Sequence, residues 1–202
     1  NLSYDGKEDN YDYFFEVLKL ALSYSPNKDY QLQFYNKHLP KVRVFESIIT
    51  DKKIDIIAAG ATIDREKILL PIRFPLVKGL FGWRIPLVNK KNIDLFLPQL
   101  SSEDFKKITV GQLHTWSDTK ILESNDLQVK KGSHYQGLFH MLVAERFQYF
   151  PRSVLEIQGE FETHKKLDIA IDPHILIHYP AAYVFYVNQS NTVLADDVNY
   201  GL

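Results

Sequence analysis

Four short stretches hold residue types that could bind a small ion. Arg84 stands inside FPLVKGLFGWRIPLVNKK, residues 74–91, a run that is otherwise almost wholly apolar until its last lysines. A guanidinium cannot shed its proton, so its charge has two readings. Arg84 pairs with a carboxylate or snorkels along its own stem. Alternatively it lines a cleft, where its planar fork of N–H donors matches an incoming carboxylate two bonds at a time. In LHTWSDT, residues 113–119, Thr115, Ser117 and Asp118 are all N-cap types ahead of a helical KILES. A helix N-terminus with free N–H groups accepts anions if Asp118 turns away. Trp116 is not explained as a cap, and either packs on its own lobe or walls a cleft. In YFPRS, residues 149–153, Pro151 should interrupt a strand and leave Arg152 at the strand end, as a cleft-rim residue or a solvated surface arginine. If Arg84 and Arg152 both face inward, a ligand with two acidic groups fits. AAGATID, residues 58–64, ends a strand in small residues that let a ligand approach the backbone near Thr62, or simply turns the chain. Arg65 reads as structural, with Asp64 or Glu66 beside it.

Other chemistry has little to stand on. The chain has 7 histidines and no cysteine. His174 and His178 share a face only if DPHILIHYP is a strand, and no His-Glu-x-x-His motif occurs, so no metal is expected. Neither a Gly-x-Ser-x-Gly elbow, a Gly-x-Gly-x-x-Gly loop nor a phosphate loop is present, and His114 with Ser117 is no elbow. No catalytic residue and no cofactor is assigned.

The elements that must position these residues follow from the pattern of the 202 residues, 45% of them hydrophobic and enough for a real core. The formal net charge is -1, with both signs interspersed, which gives no sign of a nucleic-acid binder or a polybasic membrane patch. No uncharged apolar run reaches the roughly 20 residues of a membrane span. Residues 11–23 have a helical apolar face (Phe14, Phe15, Leu18, Ala21, Leu22) that Asp9 or Asn10 could cap. YQLQFYN alternates as a strand, Pro40 opens a helix that points Val44, Phe45, Ile48 and Ile49 inward, and IDIIAAG is a buried strand. After a polar Ser-Ser-Glu-Asp segment a second series begins. ITVGQ, LQVKK, QYFPR and LDIAI read as strands; SDTKILESN, HYQGLFHMLVAERF and SVLEIQGEFETHKKL read as helices. AAYVFYVNQ is strand and NTVLADDVNYGL the start of a helix. Two α/β units joined by two extended stretches, near 84–90 and 180–188, predict lobe 1 over 1–88 plus 183–202 and lobe 2 over 89–182, with a cleft between them.

With the elements in this order, TIDREKILLPIRFPLVKGLFGWRIPLV resembles the first-lobe signature of the type II periplasmic solute-binding proteins, in particular the amino-acid-binding branch, bacterial extracellular solute-binding family 3. Thr62, Arg65, Phe74, Pro75 and Arg84 carry the match. ITVGQLHTWSDTKIL resembles the second-lobe opening, and AAYVFYVNQ with NTVLADDVNYGL the return strand and last helix, here cut short. Phe74-Pro75-Leu76 replaces the usual Ser-x-Pro-Tyr, and His114-Thr115-Trp116-Ser117 replaces a Gly-Thr-Thr, which marks a divergent subgroup. The resemblance implies a two-lobed α/β fold and a non-enzymatic, monomeric solute binder. It implies that Arg84 clamps a ligand carboxylate, with Thr62, Thr115, Trp116, Ser117 and Arg152 as further contacts. It also implies an amino acid or organic acid as ligand, an inner-membrane permease as partner, no nucleic acid, and a periplasmic location after removal of a signal peptide. Two alternatives stay open: a ligand-sensing domain of a receptor, or a dehydratase-like enzyme on the same fold using Glu156 or Asp118 as acid or base.

Overall fold

A computed structural model describes residues 1–5, 13–26, 28–35, 39, 41–51, 53–97 and 100–202. The expected caps at Asp9 or Asn10 and the helix-opening Pro40 lie outside these residues. The chain divides into two units, residues 1–79 with 181–202, and residues 80–180. The sequence put the divisions at 88/89 and 182/183; the units divide at 79/80 and 180/181, which assigns all of the strand holding Arg84 to the second unit.

In the first unit, β1 (Leu2–Tyr4), β2 (Leu32–Phe34) and β3 (Ile56–Gly60) run parallel, with α1 (Tyr13–Ser23) and α2 (Lys41–Ile49) as crossovers. The short α3 (Ile63–Glu66) leads into β4 (Leu69–Ile72). The sheet order is β2-β1-β3-β11-β4, where β11 (Tyr183–Asn188) returns from the far end of the chain and runs antiparallel to both neighbours. β3 is apolar throughout, and β11 as far as Val187, because the sheet is covered on both faces. Ile56, Ala58, Phe185 and Val187 pack under α1 and α8 (Thr192–Gly201). Ile57, Ala59, Val184 and Tyr186 pack against α2.

The second unit opens with β5 (Trp83–Asn89), followed by α4 (Ser102–Lys107), β6 (Val110–Leu113), α5 (Ser117–Ser124), β7 (Val129–Gly132), α6 (Tyr135–Val143) and β8 (Tyr149–Ser153). It continues with α7 (Ile157–Thr163), β9 (Ile169–Ile171) and β10 (Ile177–His178). Its sheet runs β10-β5-β8-β6-β7, with β9 also paired to β5. Gly111 in β6 is pressed against the Phe147 ring, where an added Cβ would come within 2.2 Å of it.

The expectation that Pro151 breaks the strand is corrected here. β8 runs through it, and Arg152 pairs with Ile85 inside the β5–β8 ladder. Pro151 lies opposite Pro86. Neither has an N–H, so this is a position where the two strands exchange no hydrogen bonds, and the prolines cost the ladder nothing. Arg152 is consequently 4% exposed, not a solvated surface arginine.

Candidate functional site

Side chains alternate across a strand, so Arg84 and its neighbour Ile85 point to opposite faces of the second sheet. Arg152, opposite Ile85, shares that residue's face, and Ser153, opposite Arg84, shares the other. The two arginines thus lie at one end of the sheet but on different sides of it, not side by side as a pair of anion clamps.

Each is met by carboxylates. Arg84 Nη2 lies 2.5 Å from Asp118 Oδ1, and Arg84 Nη1 lies 3.6 Å from Glu156 Oε2. Tyr179 donates its hydroxyl to the same Asp118 oxygen, and the Arg84 guanidinium sits 5.7 Å from the Tyr179 ring centroid. On the other side, Arg152 donates from Nε and Nη2 to the two Glu160 oxygens, 2.6 Å each, and from Nη2 to Glu156 at 3.0 Å. Tyr135 donates to Glu160 at 2.6 Å. Glu156, at the N-terminus of α7, therefore touches both guanidiniums and links the two faces.

Burial dominates the titration of this network. It pushes the Glu156 carboxyl above the ordinary range, an effect that the Arg152 and Arg84 guanidiniums only partly offset. It also raises the Tyr135 and Tyr179 phenols, helped by Glu160 and Asp118. For Arg152 burial opposes the charge, but Glu160 and Glu156 outweigh it, and the guanidinium is held more firmly protonated than usual.

The helix N-terminus of α5 is occupied from within. Asp118, in its first turn, faces Arg84. Ser117 donates to Asp118 at 3.4 Å, Thr115 is exposed, and Trp116 takes the N-cap position without a side-chain capping bond. Trp116 stacks on Phe150 at 6.2 Å, and the Arg152 guanidinium lies 4.6 Å from its ring centroid. It packs on its own unit.

The first unit presents a contrasting guanidinium. Thr62 caps α3, its hydroxyl accepting from Arg65 N–H at 3.2 Å. Arg65 donates from Nη1 to the Gly60 carbonyl and lies over the Phe45 and Tyr186 rings, 4.7 and 5.7 Å from their centroids. The acids beside it in sequence are engaged elsewhere: Asp64 with Lys67 at 3.1 Å, Glu66 with Arg73 at 2.6 Å. Among the described residues Arg65 has no carboxylate partner, and its Nε and the Tyr186 hydroxyl have no hydrogen-bond partner. Burial pulls the Arg65 guanidinium down from its ordinary value. In the same unit a cavity of about 220 Å³ is lined by Ala61, Glu66, Pro71, Arg73, Pro75, Ala182 and Val184, but not by Arg65 or Thr62. Pro71 is the register partner of Tyr186, the ring beneath Arg65.

No family model and no curated protein matches the sequence. Solved structures do. An ancestral arginine-binding protein bound to arginine superposes with a TM-score of 0.66 at 16% identity, over 99% of this chain and 88% of that one. The periplasmic VFT2 domain of Bordetella pertussis BvgS gives 0.70 at 11%, over 99% and 85%. A structure described for glutathione import via GshT and the cystine importer TcyBC of Streptococcus mutans gives 0.68 at 13%, over 99% and 86%. This is the type II periplasmic-binding fold.

Within the type II periplasmic-binding fold, the sequence-named residues divide by unit. Arg84, Trp116, Ser117 and Arg152 gather around one network in the second unit, with Thr115 at its margin, while Thr62 lies in the first. The ion pair expected for Arg65 with Asp64 or Glu66 is absent among the described residues. The signal of Arg65 was present in the sequence: a Thr cap three residues before an Arg, at the end of a strand of small residues. Asp172 is a buried acid that the sequence pattern does not single out. It accepts two backbone N–H bonds, from His174 and Ile175, on one oxygen, and its other oxygen has no hydrogen-bond partner.

Proposed function

We propose that the chain is a non-enzymatic binder of a small carboxylate-bearing solute, the substrate-binding component of an import system outside the cytoplasmic membrane. The observation that carries this reading is Arg65, a half-buried guanidinium whose Nε has no hydrogen-bond partner and which meets no acid among the described residues, in the short helix capped by Thr62. Burying a cation without an acid is costly unless something supplies the countercharge. A ligand carboxylate supplies it, in a planar geometry that the guanidinium suits. Three similar structures bear on the ligand class: an ancestral arginine-binding protein bound to arginine, one bound to glutamine, and one described for glutathione import. The second unit offers a further contact set in Arg84, Arg152, Trp116, Ser117 and Thr115. In this reading the partner is a membrane permease, the location is periplasmic, and the chain is a monomer.

Thermal melting against L-arginine, L-glutamine, succinate and a polyamine tests it. A ligand at 100 times its dissociation constant adds about 2.7 kcal/mol of stability. Stabilisation by a carboxylate that is lost in Arg65→Ala supports the reading; carboxylates that leave both proteins unmoved overturn it.

A dehydratase-like enzyme is the second reading, favoured by one observation. Glu156 is a partly buried carboxyl held above its ordinary range beside a guanidinium, as a general acid would be. Turnover of small hydroxy acids followed by proton NMR, present in the wild type and absent in Glu156→Gln, would establish it.

A further inference from the structure

The network in the second unit sets three carboxylates against two guanidiniums. Arg152 is held on two nitrogens by Glu160, and Arg84 Nη2 is held by Asp118. Glu156 is shared: 3.0 Å from Arg152 Nη2, but 3.6 Å from Arg84 Nη1, beyond hydrogen-bond length. Arg84 Nε has no hydrogen-bond partner, although the side chain is only 8% exposed. Glu156 is the most open of the three acids, its side chain 33% exposed against 15% for Asp118 and 14% for Glu160. The charged groups facing it are Arg152 from β8, Arg84 from β5, Asp118 from α5 and Glu160 from α7. Behind them Tyr179 and Tyr135 bond to Asp118 and Glu160.

We propose that an anion captured by Arg84 enters together with a proton on Glu156. Two guanidiniums already face three carboxylates, and an anionic ligand group would be a fourth. A protonated Glu156 gives up its claim on Arg84 Nη1 and offers an O–H donor to the newcomer. One proton passes from solvent to a Glu156 oxygen, and no other bond forms or breaks. Burial already favours the neutral form of this carboxyl, which lowers the cost of the transfer. The ligand class is a small anion, carboxylate or sulfonate, bound with proton uptake. The inference rests on the binding reading above, applied to the second unit. It makes the dissociation constant rise with pH, by up to about tenfold per unit above the free-state pKa of Glu156.

The test is calorimetric titration of the full chain with L-glutamine, L-arginine and methanesulfonate. It is run between about pH 5 and 8 in pairs of buffers with different ionisation heats. At least one of these probes should bind with proton uptake and with an affinity that weakens as pH rises. In Glu156→Gln the uptake should vanish, and binding should become independent of pH and at least as tight as the wild type's at the upper end. Arg84→Lys should weaken binding yet keep the uptake. Wild-type binding that is flat in pH and takes up no proton overturns the proton link and leaves the binding reading intact. Uptake that survives in Glu156→Gln also overturns the link, because another group then carries the proton. If none of the three probes binds at any pH, the binding reading and this inference fall together.

Discussion

Arg65 and Arg84 are both arginines withdrawn from solvent, one in each unit, yet their surroundings are opposite. Arg84 lies against two carboxylates and a phenol, while Arg65 lies between two aromatic rings and a backbone carbonyl with no acid among the described residues. The difference teaches that an arginine's role follows from what meets its charge, not from how apolar its sequence neighbours are. An arginine with its own carboxylates is a structural element first, and a ligand must compete with them. An arginine without one carries a standing deficit that a ligand can fill.

The largest effect expected from this contrast comes from breaking the Arg84 pair. Arg84→Ala leaves Asp118 withdrawn from solvent without its cation, and should cost about 3–5 kcal/mol in urea unfolding. Arg84→Met with Asp118→Leu removes both charges, and should regain most of that loss. A double variant as unstable as the single one would show that the pair does more than neutralise itself. Arg65→Leu should cost far less, on the order of 1 kcal/mol, because it removes ring contacts and no acid is orphaned. Its ligand response should nonetheless disappear. A loss of stability equal to that of Arg84→Ala would erase the contrast. Thr62→Ala removes the cap of α3, and should cost about 1 kcal/mol by the same denaturation assay.

The smallest effect sharpens the comparison through pH. Glu156 has a folded-state pKa above its unfolded value of about 4.3. The folded state then binds the proton more tightly, so this group's contribution is full below the unfolded pKa and is lost as pH rises through the folded one. Glu156→Gln should abolish that decline, and near neutral pH should be as stable as the wild type or more so. A Gln variant clearly weaker at neutral pH would mean that the Glu156 charge is needed to hold the two arginines together.

Much of the fold is legible in the sequence, because both units use apolar runs and helical faces in strict alternation. IDIIAAG and AAYVFYVNQ are evident as apolar runs, and α1 from its helical periodicity. β1 and β4 are not, the first because three residues hold no pattern, the second because ILLPIRFPL reads as one apolar stretch. Pro151 misleads because a proline is tolerated wherever its partner strand asks for no N–H, and that depends on register, which sequence does not display. The site is less legible for the same reason. Asp118 and Glu156 reach Arg84 only after α5 and the start of α7 are laid against one sheet end, and neither is near it in sequence. Arg65 shows the reverse error, since adjacency to Asp64 and Glu66 implied a pairing that the geometry of α3 directs elsewhere.

The place of β11, between β3 and β4, has a consequence for how the molecule is made. The second unit is one unbroken stretch of chain, 80–180, and a nascent chain holds all of it before the strand at Tyr183–Asn188 has been synthesised. Until then the first sheet has a gap between β3 and β4, with two unsatisfied edges facing each other. On the ribosome the later-coded unit can therefore finish first, while the earlier-coded one waits for β11. A pulse of protease during synthesis would find residues 1–79 exposed longer than residues 80–180.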